Sequence, residues 1–185
     1  GMSSALRLIG NAAAELGQHD VALEYLRKAE RLTPNADVVE RTRVLIAGEL
    51  RVLGNLRGAD RLLEEVLHTK NEQTRADALA ERARLRQHQH RVAEAIADLR
   101  EADALYARLQ LDFNRIDSSS ALALALLDKA DVRGAAAAAD IAVGIETRIR
   151  VKSANPELRA RFLSARYAPY EARFEVDLAE AAGGN

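Results

Sequence analysis

Apolar residues recur along this chain with the period of an α-helix, in successive segments that short polar turns separate. In the clearest segment, residues 16–34, Ala22, Leu26 and Ala29 repeat at intervals of four and three residues. This spacing places the three side chains on one face of a helix. The segment therefore predicts an amphipathic helix that ends before Pro34, because proline cannot continue a helix.

A second apolar face precedes this helix, within residues 3–16. Its members are Leu6, Ile9, Gly10 and Ala13. Glycine in a helix interior costs about 1 kcal/mol relative to alanine. Gly10 therefore predicts the close approach of a neighbouring helix, and the polar turn after this segment joins the two helices into a pair.

The same pattern returns three times. A helix at residues 36–53 and another reaching about His68 form a second pair, and further pairs begin after Asn71 and Asp112. Asn71 is a favourable N-cap residue. The alanines in the second helix of each pair lie 37, 36 and 40 residues apart, at Ala22, Ala59, Ala95 and Ala135.

Composition supports an all-helical globular chain without a general affinity for nucleic acids or membranes. Charged residues are 30%, aromatic residues only 4%, and 27 basic side chains face 28 acidic ones. The longest apolar run is far shorter than the ~18 residues of a spanning helix. The chain has no cysteine, which excludes disulfides and thiolate chemistry. We expect a cytoplasmic protein.

The first pair resembles the tetratricopeptide repeat (TPR). The matching residues are Leu6, Ile9, Gly10, Ala13, Ala22, Leu26, Ala29 and Pro34. The resemblance covers roughly residues 3–152 and implies a right-handed superhelical stack of four antiparallel helix pairs. The period exceeds the ~34 residues of that family, and Arg82 and Arg86 stand where the third copy should be apolar. A plain helical bundle is the alternative.

Residues 153–185 depart from the repeat. Asn155 predicts the start of a helix with Phe162 on its apolar side, and Pro169 predicts a kink. Tyr170, Phe174 and Leu178 would continue the apolar face. We predict a kinked helix that caps the open end of the stack.

A shorter resemblance lies in the same region. The residues that carry it are Leu158, Arg159, Phe162, Leu163, Tyr170, Glu171, Asp177 and Leu178. They are similar to the segment that joins repeat arrays to CHAT domains, the caspase-like modules of bacterial multidomain proteins. This resemblance implies that the chain is the repeat portion of such a protein, or a relative without the protease-like part.

The sequence offers little support for catalysis or for a cofactor. His88, His90 and Glu94 have metal-ligand side chains, but the predicted turn falls among them and no further ligand is evident. Residues 118–120 are three serines with no nearby base, so packing between helices explains them better than nucleophilic catalysis. We expect no enzyme activity, no metal and no cofactor.

The main basic feature is an arginine-rich stretch that contains Arg82, Arg84, Arg86 and Arg91. Acidic residues such as Glu81 are interspersed, which favours a salt-bridged solvated face. The alternative is a contact with an anionic peptide. Nucleic acid is disfavoured because the stretch lacks interleaved aromatic residues.

The TPR resemblance implies that the first helix of each pair lines a concave groove. In that register the candidate binding residues are Arg7, Asn11, Arg41, Val44, Arg51, Asp77, Arg84, Asp117 and Leu124. Arg7 and Asn11 resemble a pair in repeat proteins that hold acidic chaperone tails, but Gly48 and Ala80 fill two further positions of that clamp and disfavour this ligand.

We therefore predict a non-catalytic scaffold that binds a protein or peptide segment, with Arg41, Arg51 and Arg84 as contacts. One alternative is a regulatory repeat segment of a larger protein, either CHAT-type or a transcription regulator. Self-association through alanine-rich faces, such as that of Ala135 and Ala139, is another possibility.

Overall fold

The computed structural model describes residues 1–152 and 168–183, and within them it consists of nine α-helices without a strand. The helices are α1 (Met2–Glu15), α2 (His19–Arg31), α3 (Ala36–Val52), α4 (Leu56–Val66), α5 (Glu72–His88), α6 (Val92–Arg108), α7 (Asp112–Leu127), α8 (Val132–Lys152) and α9 (Ala168–Gly183). The all-α prediction is confirmed. The chain forms two compact units, Gly1–Gln89 and a second that begins at His90.

Gln110, between α6 and α7, is in the left-handed conformation with φ of 57°. The four turns between the two helices of a pair also each contain one such residue. These residues are Gly17, Gly54, His90 and Ala130, with φ of 73°, 80°, 60° and 57°. Each lies five residues before one of the repeating alanines. In three of the turns the next amide donates to the carbonyl oxygen five residues earlier, as in Gln18 to Ala13 at 2.8 Å. These bonds are typical of a Schellman helix end.

The repeating alanines themselves are completely buried. Ala22, Ala59, Ala95 and Ala135 are all 0% exposed. In the pairs α1–α2, α3–α4 and α7–α8, which pack within one unit, the small side chain allows a close approach of the two helices. Gly10 shows the same effect, because a Cβ atom there would lie 2.9 Å from Cγ of Leu26. The close approach predicted from Gly10 is confirmed.

In the first unit, α1 packs on α2, α2 on α3, and α5 on both α3 and α4. Asparagine side chains begin three of the helices, and the predicted N-cap Asn71 accepts a hydrogen bond from the amide of Thr74 at 2.9 Å. The predicted apolar face of α1 is correct in part. Gly10 and Ala13 are buried and Leu6 is half-buried, but Ile9 is 47% exposed.

In the second unit, α6 packs on α7, α7 on α8, and α9 on both α7 and α8. The buried residues of α9 are Pro169, Ala172 and Val176. The expectation that Phe174 and Leu178 continue the buried face is wrong, since both are at least half exposed. The face of α9 that its neighbours cover carries the smaller residues Pro169, Ala172 and Val176 instead.

Part of the C-terminal prediction lies outside the described residues. This applies to the N-cap at Asn155, to the helix containing Phe162 and to the chain before Ala168, where the kink was predicted. Pro169 lies in the first turn of α9, where the missing amide hydrogen is tolerated.

A buried polar contact also holds α9 in the second unit. Glu146 of α8 is only 1% exposed, and it accepts a hydrogen bond from the hydroxyl of Tyr170. Burial raises the pKa of the Tyr170 hydroxyl above its usual value, and the bond to Glu146 adds to this effect. At the surface, Arg173 of α9 pairs with Asp140 of α8 at 3.1 Å.

Exchanging alanine and glycine at the left-handed turn residues should change stability in opposite directions. We expect Gly17→Ala to destabilise by about 1–2 kcal/mol and Ala130→Gly to stabilise by about 0.5–1 kcal/mol, because only glycine adopts this conformation without strain. Ala137→Gly, in the exposed interior of α8, is the control and should destabilise by about 1 kcal/mol. Urea unfolding followed by circular dichroism measures all three, and a stabilising Gly17→Ala would contradict the argument.

Removing the Tyr170 hydroxyl should loosen α9. Tyr170→Phe leaves the buried Glu146 carboxylate without this donor, which we expect to cost about 1–3 kcal/mol. Hydrogen exchange should accelerate in α9 before it does so in α7. Tyr25→Phe, at a half-buried position of α2, is the control and should change stability by less than about 0.5 kcal/mol. Equal effects of the two substitutions would argue against a role for the Glu146 contact.

Candidate binding surface

Seven of the nine predicted binding residues lie on α1, α3 and α5 of the first unit. Arg41 and Arg84 are exposed, and Arg7, Asn11, Arg51 and Asp77 are half-buried. Val44 is only 8% exposed and belongs to the apolar cluster of this unit. Val44 is therefore not part of the candidate binding surface, because its side chain contributes to packing.

The structure brings Arg51 and Arg84 together through a third residue, Glu81. Nε of Arg51 donates to one carboxylate oxygen of Glu81 at 2.7 Å, and Nη1 of Arg84 donates to the other at 2.9 Å. Glu81 is buried, whereas half of the Arg84 side chain is exposed. The three residues form a cluster that joins α3 to α5.

Gly48 lies beside this carboxylate. A Cβ atom at Gly48 would lie 3.5 Å from Cδ of Glu81, which is an ordinary van der Waals contact. Because Gly48 and Arg51 are three residues apart on α3, they lie on the same helix face. Glu81 therefore packs against one turn of α3, which also supplies one of its hydrogen-bond partners.

The cluster holds two guanidinium groups in place without using all of their donors. A guanidinium carries five N–H groups, and each of these two arginines spends one on Glu81. The carboxylate balances one of the two positive charges, so the cluster keeps a net charge of +1. Arg41 adds a further exposed positive charge on α3. Chemically, such a surface suits carboxylates and carbonyl oxygens.

The two remaining candidates, Asp117 and Leu124, lie on α7 in the second unit. Both are exposed, and Asp117 interacts with another residue of the chain. They combine an acidic and an apolar side chain and form a candidate surface of that unit alone.

The arginine-rich stretch is largely engaged in ion pairs. Arg82 pairs with Glu64 of α4 at 2.6 Å, and Arg91 pairs with Glu94 at 2.6 Å. Arg82 occupies a repeat position where an apolar residue is expected, and its side chain is only 15% exposed. A long arginine stem can fill such a position while its charged end reaches the surface.

The residues with potential chemistry are placed as structural groups. Ser118 and Ser119 are buried and donate hydrogen bonds to Asp103, while Ser120 donates to the carbonyl oxygen of Ile116. This confirms the packing interpretation of the three serines. Across residues 1–152 and 168–183, no three histidine or acidic side chains gather as a metal ion would require.

No helix in the described part of the chain is both long enough and apolar enough to cross a membrane.

Sequence reasoning did not identify Glu81 as the organiser of this surface. It treated Glu81 as one acidic residue among several in the arginine-rich stretch. Its spacing of three residues from Arg84 was a usable signal, because such pairs meet on a helix. Its pairing with Arg51, which is 30 residues away in sequence, required the packing of α3 on α5.

Solved structures of TPR-like proteins are similar to this fold. A candidate kinesin light chain of Podosopora anserina with nearly identical TPR-like repeats is 20% identical, with 98% of this chain and 96% of that chain covered at a TM-score of 0.64. BtubC (BKLC) from P. vanneervenii is 17% identical, with 95% and 74% covered at a TM-score of 0.68. MamA is 17% identical, with 97% and 88% covered at a TM-score of 0.57.

These similarities establish an all-α, TPR-like repeat fold. At such identities they show the fold alone, since one fold serves many functions. No family model and no curated protein sequence matches the chain. Of the residues that resemble the segment before CHAT domains, Leu158, Arg159, Phe162 and Leu163 lie outside the described part of the structure.

Removing the Glu81 carboxylate should destabilise the first unit. We expect Glu81→Ala to cost about 1–3 kcal/mol, because it removes the buried acceptor shared by Arg51 and Arg84. Glu64→Ala removes the exposed partner of Arg82 and should cost less than about 1 kcal/mol. Chemical unfolding of both variants measures the difference. A smaller cost for Glu81→Ala than for Glu64→Ala would show that the cluster does not support the fold.

Proposed function

We propose that this chain is a non-catalytic scaffold that binds a protein or peptide segment through the exposed faces of α1, α3 and α5. The observation that carries the proposal is the pair of arginines, Arg51 and Arg84, held by the buried Glu81. A buried carboxylate is costly by itself. Its use to orient two partly exposed guanidinium groups is more typical of recognition than of simple packing.

Pre-organisation is the physical advantage of this cluster. A free arginine side chain loses about 2 kcal/mol of rotamer entropy when it becomes fixed. Glu81 already restrains both side chains before a partner arrives, so less entropy is lost on binding. The expected partner segment presents carboxylate or carbonyl oxygens to Arg51 and Arg84 and a further acceptor to Arg41.

Arg7, Asn11 and Asp77 extend the proposed surface along α1 and α5. Arg7 and Asn11 are one helical turn apart, so a single extended segment can reach both. Asp77, which also interacts with another group of the chain, adds an acidic side chain to this surface and disfavours a uniformly acidic segment. The preferred partner therefore carries acidic residues that are interspersed with neutral or basic ones.

The TPR-like fold supports a scaffold role in general terms, and the low sequence identities leave the partner to experiment. We also propose that the protein acts in the cytoplasm. The absence of cysteine in a chain of 185 residues is compatible with a reducing compartment.

Replacing the three arginines should weaken partner binding. A triple variant with Arg41, Arg51 and Arg84 changed to alanine should be less stable, because it leaves the buried Glu81 without either arginine. At a temperature below its unfolding transition, it should retain its helical circular dichroism spectrum but lose partners in affinity capture followed by mass spectrometry. The expected loss is roughly tenfold or more in recovered partner, because charge-assisted hydrogen bonds are removed.

A matched control removes the same charge elsewhere in the first unit. Arg27, Arg57 and Arg61 are exposed on α2 and α4, and their alanine triple should retain the partners. If the triple variant at Arg41, Arg51 and Arg84 keeps every partner while it stays folded, the proposed surface is wrong. If both triple variants lose the partners equally, the net charge of the protein determines binding, and the cluster of Arg51, Glu81 and Arg84 does not.

The alternative hypothesis makes the chain a regulatory repeat segment of a larger protein, either CHAT-type or a transcription regulator. The genomic reading frame tests it directly. A continuous frame into a domain with a His/Cys pair would support the first version, and one into a DNA-binding helix-turn-helix would support the second.

A further inference from the structure

Helix α1 carries a second apolar face that no other helix of the described chain covers. Its residues are Met2, Ala5, Ile9 and Ala12, continued by Leu16 directly after the helix, and all five are exposed. Their intervals of three and four residues are those of a helix-pairing seam. Contiguous exposed apolar faces of this kind mark interaction sites.

The repeat gives a precedent for burial of the centre of this face. The 37-residue spacing aligns Ala5 and Ile9 of α1 with Thr42 and Ile46 of α3. Thr42 and Ile46 are 1% and 2% exposed, and α3 packs against the preceding helix, α2. The same face of α1 therefore has the chemistry of a helix–helix junction.

We propose that this face binds a second copy of the chain, by antiparallel pairing of two α1 helices about a two-fold axis near Ile9. Along the face, large and small residues alternate in the same order in both directions. Antiparallel pairing places Met2 near Leu16 of the second copy and Ala5 near Ala12 of the second copy. The face is thus self-complementary, as a two-fold interface requires.

Charge complementarity favours the antiparallel orientation. Helix α1 has no acidic residue in its first turn, yet Glu15 is its last residue. Each of these features is unfavourable for the dipole of a single helix. Antiparallel pairing brings Glu15 of the second copy towards the first turn of α1, where the helix dipole favours a negative charge.

Other candidate faces for self-association fit less well. Ala135 and Ala139 on α8 are buried within their own unit, which removes the alanine-rich face considered from the sequence. The exposed Phe174 and Leu178 on α9 lie on a helix that also exposes Glu171 and Glu175. Two copies of that acidic face would repel each other.

The proposed pairing leaves the binding surface accessible. Helical periodicity of about 100° per residue places Arg7 and Asn11 on the opposite side of α1 from Ile9. A helix of 14 residues is about 21 Å long. The contact is therefore smaller than the ~800 Å² per partner of a standard interface, and we expect a weak dimer that forms with increasing concentration.

Sedimentation equilibrium of the full chain over a concentration series tests the proposal. The unmodified chain should show a reversible monomer–dimer equilibrium, and Ile9→Glu should raise the dissociation constant roughly tenfold or more. Leu178→Glu introduces the same charge on α9 and should have no effect. A chain that stays monomeric throughout, or a dimer that only Leu178→Glu disrupts, would overturn the proposal.

Thiol cross-linking tests the orientation. The chain has no cysteine, so Ile9→Cys introduces a single thiol near the proposed two-fold axis. A short bismaleimide should convert this variant to a covalent dimer far more completely than it converts Leu178→Cys. If the unmodified chain dimerises but the two variants cross-link equally, the two-fold pairing at Ile9 is wrong.

Discussion

The close approach of paired helices at the buried alanines is the constraint on which the rest of this structure depends. Ala22, Ala59 and Ala135 are fully buried on helices that pack against the first helix of the same pair, and Ala95 is fully buried as well. In a close-packed core, a larger side chain at such a position would have to displace its neighbours. Within the first unit, α3 buries Val44, Ile46 and Leu50 on one side and exposes Arg41 on another. The candidate binding surface lies on such sides of α1, α3 and α5.

Within the first unit, the same packing allows a buried charge to persist. Glu81 is tolerated because α3 and α5 each supply an arginine at hydrogen-bond distance. Gly48 lies beside Glu81 on the same face of α3 as Arg51. Packing, electrostatics and the proposed recognition are therefore coupled at one place, and a change to any of these residues affects the others.

Periodicity was sufficient to predict the helices, their turns and the buried alanine positions, because these follow from local spacing. It could not separate Val44, which packs in the core, from Arg41, which lies one turn earlier on the same helix and is exposed. The same ambiguity affected α9, where Phe174 is exposed although aromatic residues are good core residues. Periodicity defines a face, but only the neighbouring helices decide whether that face is covered. The contact between Arg51 and Glu81 likewise depends on tertiary packing.

The left-handed turn residues have a consequence for how such a chain can change in length. In each helix pair, the left-handed residue stands five residues before the buried alanine of the second helix. This interval is constant, although successive alanines are 37, 36 and 40 residues apart. The second helices vary from 11 to 21 residues, so the variation in length lies beyond the conserved interval of the turn. One residue inserted inside that interval would rotate the following alanine by about 100° and remove it from the core. An insertion after the second helix would leave every alanine in place, so these connections are where the fold can accept new segments.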